Sequence, residues 1–283
     1  MLNGVHNFRT STEFDSFLVE YKSWHKYRGH ALIFWHETFA QTWFLQRPTA
    51  AVDKELLLYT LKRKFQFTVS TFKDLDEKKI TVTLDHFANL DHSDSDCLLV
   101  IVLSYGESGQ VHSYNTTMLV DNFWKPFANC ESLRGKPKCF IFQTCPVRTI
   151  PPPNITRYRS LSTTVSGSTD ATTHWSSQLR YPPANMLDVA VVYSLSEQQQ
   201  QLRANGNPCS MFVASLCRQL ELGLKQQSDL LSVLSLVCRD MDSLSRKTDD
   251  DNCNYVAFTD KTVPVMCSQL PRLFVFRLKK DYN

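Results

Sequence analysis

The feature that most constrains this chain is an uninterrupted apolar run of seven residues, Cys97 to Leu103, which ends directly at Ser104-Tyr105-Gly106. A run with no polar face is typical of a strand buried on both sides in a parallel sheet. A shorter apolar run, Cys139 to Phe142, follows a turn-like Arg-Gly-Lys-Pro segment and leads into Gln143-Thr144-Cys145. Because both faces of such a sheet must be covered, we expect helices on either side of these two strands.

Strands and helices alternate through the first half of the chain. Ala31 to Trp35 and Phe65 to Phe72 have the composition of strands. Two sets of residues at helical spacing mark two helices: Val52, Leu56, Tyr59 and Arg63 in the first, and Ile80, Leu84, Phe87 and Leu90 in the second. This alternation predicts an α/β fold.

The second half of the chain begins with a change in composition. Residues 150–184 have prolines near both ends and Ser, Thr and Gly between them, so we interpret them as a linker. Beyond it the pattern predicts a strand at Asp188 to Tyr193, helices marked by Phe212, Leu216, Leu220 and Leu224 and by Leu230, Leu234, Val237, Met241 and Leu244, and closing strands at Pro264 to Leu270 and Leu273 to Leu278. These elements together give a sheet of about six strands, which favours one interrupted domain over two separate ones.

Composition excludes several classes of function. The 31 basic and 28 acidic side chains are scattered and give a net charge of +3, so nothing favours binding to nucleic acid or to an anionic membrane. No apolar run reaches the roughly 18 residues of a membrane span, and no signal peptide is evident at the start. The nine cysteines are odd in number and lack both a disulfide framework and zinc-ligand spacing. We therefore expect free thiols, a cytoplasmic location, no metal and no other cofactor.

The two sequences that follow the buried strands point to a family. Parallel strands carry catalytic groups at their carboxyl ends, and here those groups are Ser104-Tyr105-Gly106 and Gln143-Thr144-Cys145. They resemble the Ser-His-Gly and Gln-Ala-Cys-Arg-Gly motifs of caspases, the cysteine proteases that cut after aspartate. YKSWHKYRGHALIFWHETF, SLRGKPKCFIFQTC and KTVPVMCSQLPRLFVF extend the resemblance, in family order, over roughly residues 21–280.

The resemblance, which is nearest to insect-type caspases with a short prodomain, implies a fold and a division of the chain. The fold is a caspase-like three-layer sandwich with a mostly parallel sheet of about six strands and helices on both faces. Residues 1–20 form a short N-terminal segment, 21–149 the large-subunit part, 150–184 the intersubunit linker and 185–283 the small-subunit part.

The resemblance also assigns site residues. Cys145 matches the nucleophile, Tyr105 stands where the family has its catalytic histidine, and Gly106 matches a backbone donor of the oxyanion hole. Three further residues match the pocket for the substrate aspartate: Arg47, Gln143 and Arg203, the last only if about one residue is inserted beside the glutamine run at 198–201.

Two departures from the family predict very low activity. A tyrosine with an ordinary pKa near 10 cannot hold a thiol as thiolate and then protonate a leaving amine at neutral pH. Pro146 follows Cys145 where the family has arginine, and proline restricts the backbone of the residue before it. We therefore expect an inactive, decoy-like homologue that regulates an active caspase in apoptosis or related signalling, through heterodimers or competition.

Other interpretations remain open at this point. The chain is alternatively a weak or unusual protease that uses Cys145, with His36 or His112 as a replacement base, or a non-catalytic module that binds Asp-containing peptides. Each candidate also has an ordinary explanation: Cys145 as a small buried thiol, Tyr105 as a packing aromatic, and Arg47 and Arg203 as solvated cations.

Two further expectations follow from the resemblance. Caspases pair through the last strand of the sheet, which here is Pro264, Val265, Met266, Cys267, Ser268, Gln269 and Leu270. An exposed edge strand favours pairing with itself in a homodimer or with an active caspase in a heterodimer. In the linker, Ser168-Thr169-Asp170 followed by Ala171 resembles a processing site at Asp170.

Overall fold

The computed structural model describes residues 19–107, 109–147, 180–195, 201–204, 207–246 and 264–279. The main strands are β1 Tyr27–Trp35, β2 Thr68–Lys73, β3 Ser95–Glu107, β6 Lys138–Cys145, β7 Val189–Leu195 and β10 Val265–Ser268. They form one sheet in the order β10-β7-β6-β3-β1-β2. Two short strands, β4 Gln110–His112 and β5 Thr117–Leu119, extend from β3, and β8 Gln201–Ala204 and β9 Asn207–Ser210 form a separate hairpin. All neighbours on the main path are parallel except β10, which is antiparallel to β7. The predicted six-stranded, mostly parallel sheet is confirmed.

Helices cover both faces of this sheet. They are α1 Thr49–Tyr59, α2 Glu77–Ala88, α3 Asp121–Trp124, α4 Met211–Gln226 and α5 Leu230–Arg246. One core cluster joins α1, α4 and α5 to alternate residues of the strands, such as Ala31 and Ile33. The other joins α2 and α3 to the residues between them, such as Leu32 and Phe34. Two helical layers around one sheet explain why every residue of β3 but the last is buried.

The buried face of α1 differs from the prediction. The helix buries Ala50, Asp53 and Leu57, whereas Tyr59 is 53% exposed. The expected face through Val52, Leu56, Tyr59 and Arg63 was therefore wrong by about one residue. The cause is that the helix buries a carboxylate, Asp53, which accepts a hydrogen bond from the backbone N–H of Ser210, whereas an apolar pattern assigns a charged residue to solvent.

The last predicted strand, Leu273 to Leu278, was also wrong. This segment makes only isolated bridges, Leu273 with Glu20 and Val275 with Asp229. It runs outside the sheet, where Phe274 and Phe276 pack on the α4–α5 core cluster. The alternation of apolar residues therefore reflects side chains buried against helices, and it does not indicate a strand of the sheet.

An ion cluster with a buried centre, Arg28 and Asp96, anchors this C-terminal segment. Asp96, 1% exposed, accepts from Arg28 at 3.0 Å and also pairs with Lys279. Arg28 additionally donates to the carbonyl oxygen of Arg277, whose guanidinium pairs with Glu20. Three cations and two carboxylates therefore hold the two ends of the described chain against β1 and β3.

No helix in the described ranges is long and apolar enough to cross a lipid bilayer.

Candidate active site

The register of two neighbouring strands brings the two motifs together. β3 and β6 are parallel, and Tyr105 is the partner of Cys145 while Leu103 is the partner of Gln143. Both motifs therefore reach the same carboxyl-terminal edge of the sheet, which is where parallel folds place their functional groups. The loop between β1 and α1, residues 36–48, packs against this edge and contributes Arg47.

Tyr105 fills the position of the expected general base. It is 1% exposed, stacks on Phe39 with ring centroids 5.1 Å apart and meets the edge of Phe44 at 6.0 Å. Its hydroxyl donates to the carbonyl oxygen of Leu45 at 3.1 Å. The side chain therefore holds the loop that carries Arg47 in place.

Arg47 is buried, with 6% exposure, so it is not an ordinary solvated cation. Its guanidinium donates to the carbonyl oxygen of His36 at 2.9 Å and to Oε1 of Gln143 at 3.2 Å, and its carbon lies 5.4 Å from the Tyr105 ring centroid. Among the described residues, no carboxylate lies within ion-pair distance of it. A buried guanidinium whose acceptors are all neutral is a site at which an incoming carboxylate forms a strong, charge-assisted interaction.

Gly106 is required by close packing. It pairs with Val111 across the β3–β4 hairpin, and a Cβ atom here would lie 2.3 Å from the carbonyl oxygen of Gln110. Backbone at that distance cannot move aside without breaking the hairpin. This contact accounts for the glycine whether or not its N–H also serves an oxyanion.

Cys145 ends β6 and is partly exposed, with a free thiol. Within the described residues, no histidine nitrogen lies within hydrogen-bonding distance of this sulfur. Pro146 follows it directly, as the sequence requires. The thiol is therefore accessible, and no described imidazole is hydrogen-bonded to it.

The two candidate replacement bases are engaged elsewhere. His36 is buried, its Nε2 contacts the carbonyl oxygen of Leu75 at 3.1 Å, and burial lowers its pKa to about 4. Burial also lowers the pKa of His112, whose ring lies against Phe44 and whose Nδ1 is 3.4 Å from Thr117 Oγ1. Both imidazoles are neutral near pH 7, and their hydrogen-bond partners are Leu75 and Thr117, not Cys145.

One buried titratable residue of this region was not predicted from the sequence. Asp53 is 1% exposed, and its Oδ1 accepts a 2.7 Å bond from the backbone N–H of Ser210. Burial raises its pKa to about 7, although the Ser210 bond and the positive charge of Arg47 act in the opposite direction. Nothing in Ala-Val-Asp-Lys-Glu distinguishes a buried aspartate from a solvated one, so only the structure reveals it.

Several predicted features fall wholly or partly outside the described residues, among them all but the last two residues of the N-terminal segment 1–20. Arg203 lies on β8, where it pairs with Pro208, but its side chain is outside the described part, so its distance from Arg47 is not defined. Asp170 and almost all of the predicted linker are outside it as well. The predicted pairing strand falls inside it: Val265–Ser268 form β10 at one edge of the sheet, next to Pro264, Gln269 and Leu270.

In the described part of the chain, no group of three His, Cys, Asp or Glu side chains is placed to hold a metal ion.

Comparison with known proteins identifies the fold. The family model described as the caspase domain matches residues 28–276, which is most of the chain. The chain belongs to the caspase family. Caspase drICE of Drosophila melanogaster is 33% identical over 272 residues, or 94% of this chain and 75% of that protein. Caspase-1 of Spodoptera frugiperda is 32% identical over 260 residues, or 91% of this chain and 81% of that protein.

The solved caspases confirm the predicted fold class. The structure of pro-sf-caspase-1 matches with a TM-score of 0.74 and 30% identity, and the match covers 93% of this chain and 95% of that one. The caspase-like three-layer arrangement is therefore correct, with a sheet of six main strands. Family membership leaves the activity of this caspase homologue to be judged from its own residues, above all Tyr105 and Pro146.

Proposed function

We propose that this chain is a catalytically inactive caspase homologue that regulates an active caspase, by pairing with it or by competing for its ligands. The observation that carries the proposal is the setting of Tyr105. This residue is the register partner of Cys145. Its hydroxyl donates a hydrogen bond to the Leu45 carbonyl oxygen, and its ring packs against Phe39 and Phe44. No group at this position can take a proton from the thiol and return it to a leaving amine.

The residues beside Tyr105 support binding without cleavage. Arg47 and Gln143 are both buried and joined by a 3.2 Å hydrogen bond, and the guanidinium has no described carboxylate as partner. The loss of a base costs roughly a hundred to ten thousand fold in rate, whereas carboxylate binding needs only the guanidinium. Binding of an Asp-containing peptide is accordingly the part of caspase function that this site retains.

Pairing with another caspase is proposed to use β10. This strand has a neighbour, β7, on one side, and no described strand lies on its other side. A second chain that adds its own last strand there satisfies the outward N–H and C=O groups and extends the sheet. The partner is either a second copy of this chain or an active caspase.

A weak protease is the second candidate, and the partly exposed, free thiol of Cys145 favours it. Hydrolysis of a fluorogenic tetrapeptide library ending in aspartate decides between the two. The proteins compared at high concentration are the wild type, Cys145→Ala as the blank, Tyr105→His, and Tyr105→His with Pro146→Arg.

For the inactive homologue, the wild type gives no more signal than Cys145→Ala, and it changes the rate of an added active caspase that it captures. Turnover by the wild type that disappears in Cys145→Ala overturns the proposal and makes the chain a protease. The double variant shows whether the two departures account for the missing activity.

A further inference from the structure

Asp53 joins two parts of the proposed binding site. It lies on α1, six residues after Arg47. Its Oδ1 accepts the backbone N–H of Ser210, the residue that ends β9 and whose own hydroxyl caps α4 by accepting from Val213 at 3.2 Å. One carboxylate oxygen thus ties the Arg47 segment to the base of the β8–β9 hairpin, on which Arg203 lies.

The second oxygen of Asp53 has no hydrogen-bond partner among the described residues, although it is fully buried. An ionised carboxylate in that setting is stabilised only by charges at longer range. Of the described cations, Arg47 is the one whose positive charge lowers the pKa of Asp53.

The other titratable groups near Asp53 include the ion pair of its neighbours Lys54 and Glu55, and Glu221 on α4, whose charge acts on the Cys217 thiol as that of Asp53 does. On α4, burial raises the pKa of the Cys217 thiol to about 12, and Cys209 on β9 is fully buried. On the β1 side, burial keeps His36 neutral. Because Arg47 is the cation that acts on Asp53, it has two possible acidic partners: Asp53 in the interior, and a carboxylate that enters the proposed site from outside.

We propose that Asp53 takes up a proton when a peptide carboxylate binds at Arg47, so that binding at this pocket is linked to protonation. The inference rests on the proposed carboxylate pocket of Arg47 and Gln143. A bound carboxylate screens the guanidinium from Asp53 and adds a second negative charge beside it, which favours the neutral acid. The proton comes from solvent buffer and binds Oδ2, while Oδ1 keeps its bond to Ser210.

Linkage then requires affinity to depend on pH. If binding takes up a proton, a lower pH strengthens binding over the range in which Asp53 is ionised in the free protein and protonated in the complex. Since the pKa of Asp53 in the free protein is about 7, this range begins just above neutral pH. The aspartate of a peptide is fully ionised there and contributes no proton of its own.

Calorimetric titration with the acetylated, amidated peptide Ser-Thr-Asp-Ala, the sequence of residues 168–171, tests the inference. Titrations near pH 7.5 in two buffers of different ionisation enthalpy give the number of protons taken up. We expect a fraction of one proton, and an affinity that rises several fold as the pH falls from 8.5 to 6.5. In Asp53→Asn the peptide still binds, but without proton uptake or pH dependence. Asp85→Asn, an exposed aspartate on α2, and the peptide Ser-Thr-Asn-Ala are the matched controls.

A second measurement needs no peptide. The titration of Asp53, followed by carbon NMR of its carboxyl group, is expected to shift to higher pH in Arg47→Gln because the stabilising charge is gone. An unchanged midpoint, or equal proton uptake by wild type and Asp53→Asn, overturns the inference. Peptide binding without proton uptake removes the linkage but leaves the proposed pocket standing. No binding of Ser-Thr-Asp-Ala overturns both the inference and the proposed pocket.

Discussion

Tyr105 and Cys145 are register partners on two adjacent parallel strands, and the tyrosine is turned into a packed aromatic cluster with its hydroxyl bonded to Leu45. The position that a cysteine protease needs for proton transfer is thus used to hold a loop. This loop carries Arg47, so the tyrosine that we propose to be incompatible with catalysis also stabilises the proposed binding site.

Tyr105→Phe is expected to lower stability by about 1 kcal/mol, because the ring contacts remain and the hydrogen bond from the hydroxyl to Leu45 is lost. Chemical denaturation measures the change. Tyr59→Phe is the control, since Tyr59 is 53% exposed on α1 and should differ little from wild type. Equal effects of the two substitutions would show that the hydroxyl of Tyr105 does not anchor the loop.

Gly106→Ala is expected to cost roughly 3 kcal/mol, because the added Cβ meets backbone that cannot move. That atom would lie 2.3 Å from the Gln110 carbonyl oxygen. Gly135→Ala is the matched variant: its φ of +69° disfavours alanine, but nothing lies within 4 Å of the added atom, so about 1 kcal/mol is expected. Thermal unfolding ranks the two, and a reversed order contradicts the close approach.

Arg47→Lys is expected to weaken binding of Ser-Thr-Asp-Ala about tenfold or more, although the charge is kept. Two guanidinium nitrogens of Arg47 bond different acceptors, the His36 carbonyl oxygen and Gln143 Oε1, and one ammonium cannot hold both and still meet a ligand. Calorimetry compares the wild type with this variant and with Arg63→Lys, an exposed control. Unchanged affinity in Arg47→Lys would place the carboxylate elsewhere.

Asp53→Asn is expected to remove part of the loss of stability that accompanies a rise in pH from 5 to 8. A carboxyl whose pKa is raised to about 7 keeps its proton in the folded protein after the unfolded chain has released it, so the free energy of unfolding falls as the pH rises toward 7. Between pH 5 and pH 8 this single group should account for about 2 to 3 kcal/mol. Denaturation at both pH values gives the difference, and the same pH dependence in both proteins would contradict the raised pKa of Asp53.

Ser268→Pro is expected to weaken self-association or association with a caspase. Gln269 donates its N–H to Val189 on β7, and because hydrogen bonds alternate in direction along a strand, the N–H of Ser268 is directed away from β7. Proline removes that outward donor, whereas Ser268→Ala keeps it. Sedimentation velocity compares the two, and equal association would exclude pairing through this edge.

Much of the fold was predictable because its signals are local. The apolar run from Cys97 to Leu103 has no polar face, so it must be covered on both sides, and a strand between two layers of helices achieves this. The predictions for the helix face that contains Asp53 and for a strand at Leu273 to Leu278 were wrong for the opposite reason. Their environments are made by residues distant in sequence, Ser210 for the former and α4 and α5 for the latter.

The candidate site divides in the same way. The resemblance placed Tyr105, Cys145, Arg47 and Gln143 in one region, and the structure brings Tyr105 beside Cys145 and Arg47 beside Gln143. The bond from Tyr105 to the Leu45 carbonyl oxygen had no local signal, because a loop and a strand end that are 60 residues apart meet only in the folded chain. The role of Arg203 remains a prediction.

The pairing of β6 with β7 also determines how this molecule would respond to a protease. Seven residue pairs join these strands, which lie on either side of the segment that contains Asp170, and β10 adds a further strand to β7. Asp96, which pairs with Arg28 on β1, also pairs with Lys279 and so fastens the end of the predicted small-subunit part to strands of the predicted large-subunit part. Cleavage at Asp170 would therefore yield two polypeptides that stay together as one particle, and the nick would be visible only after denaturation.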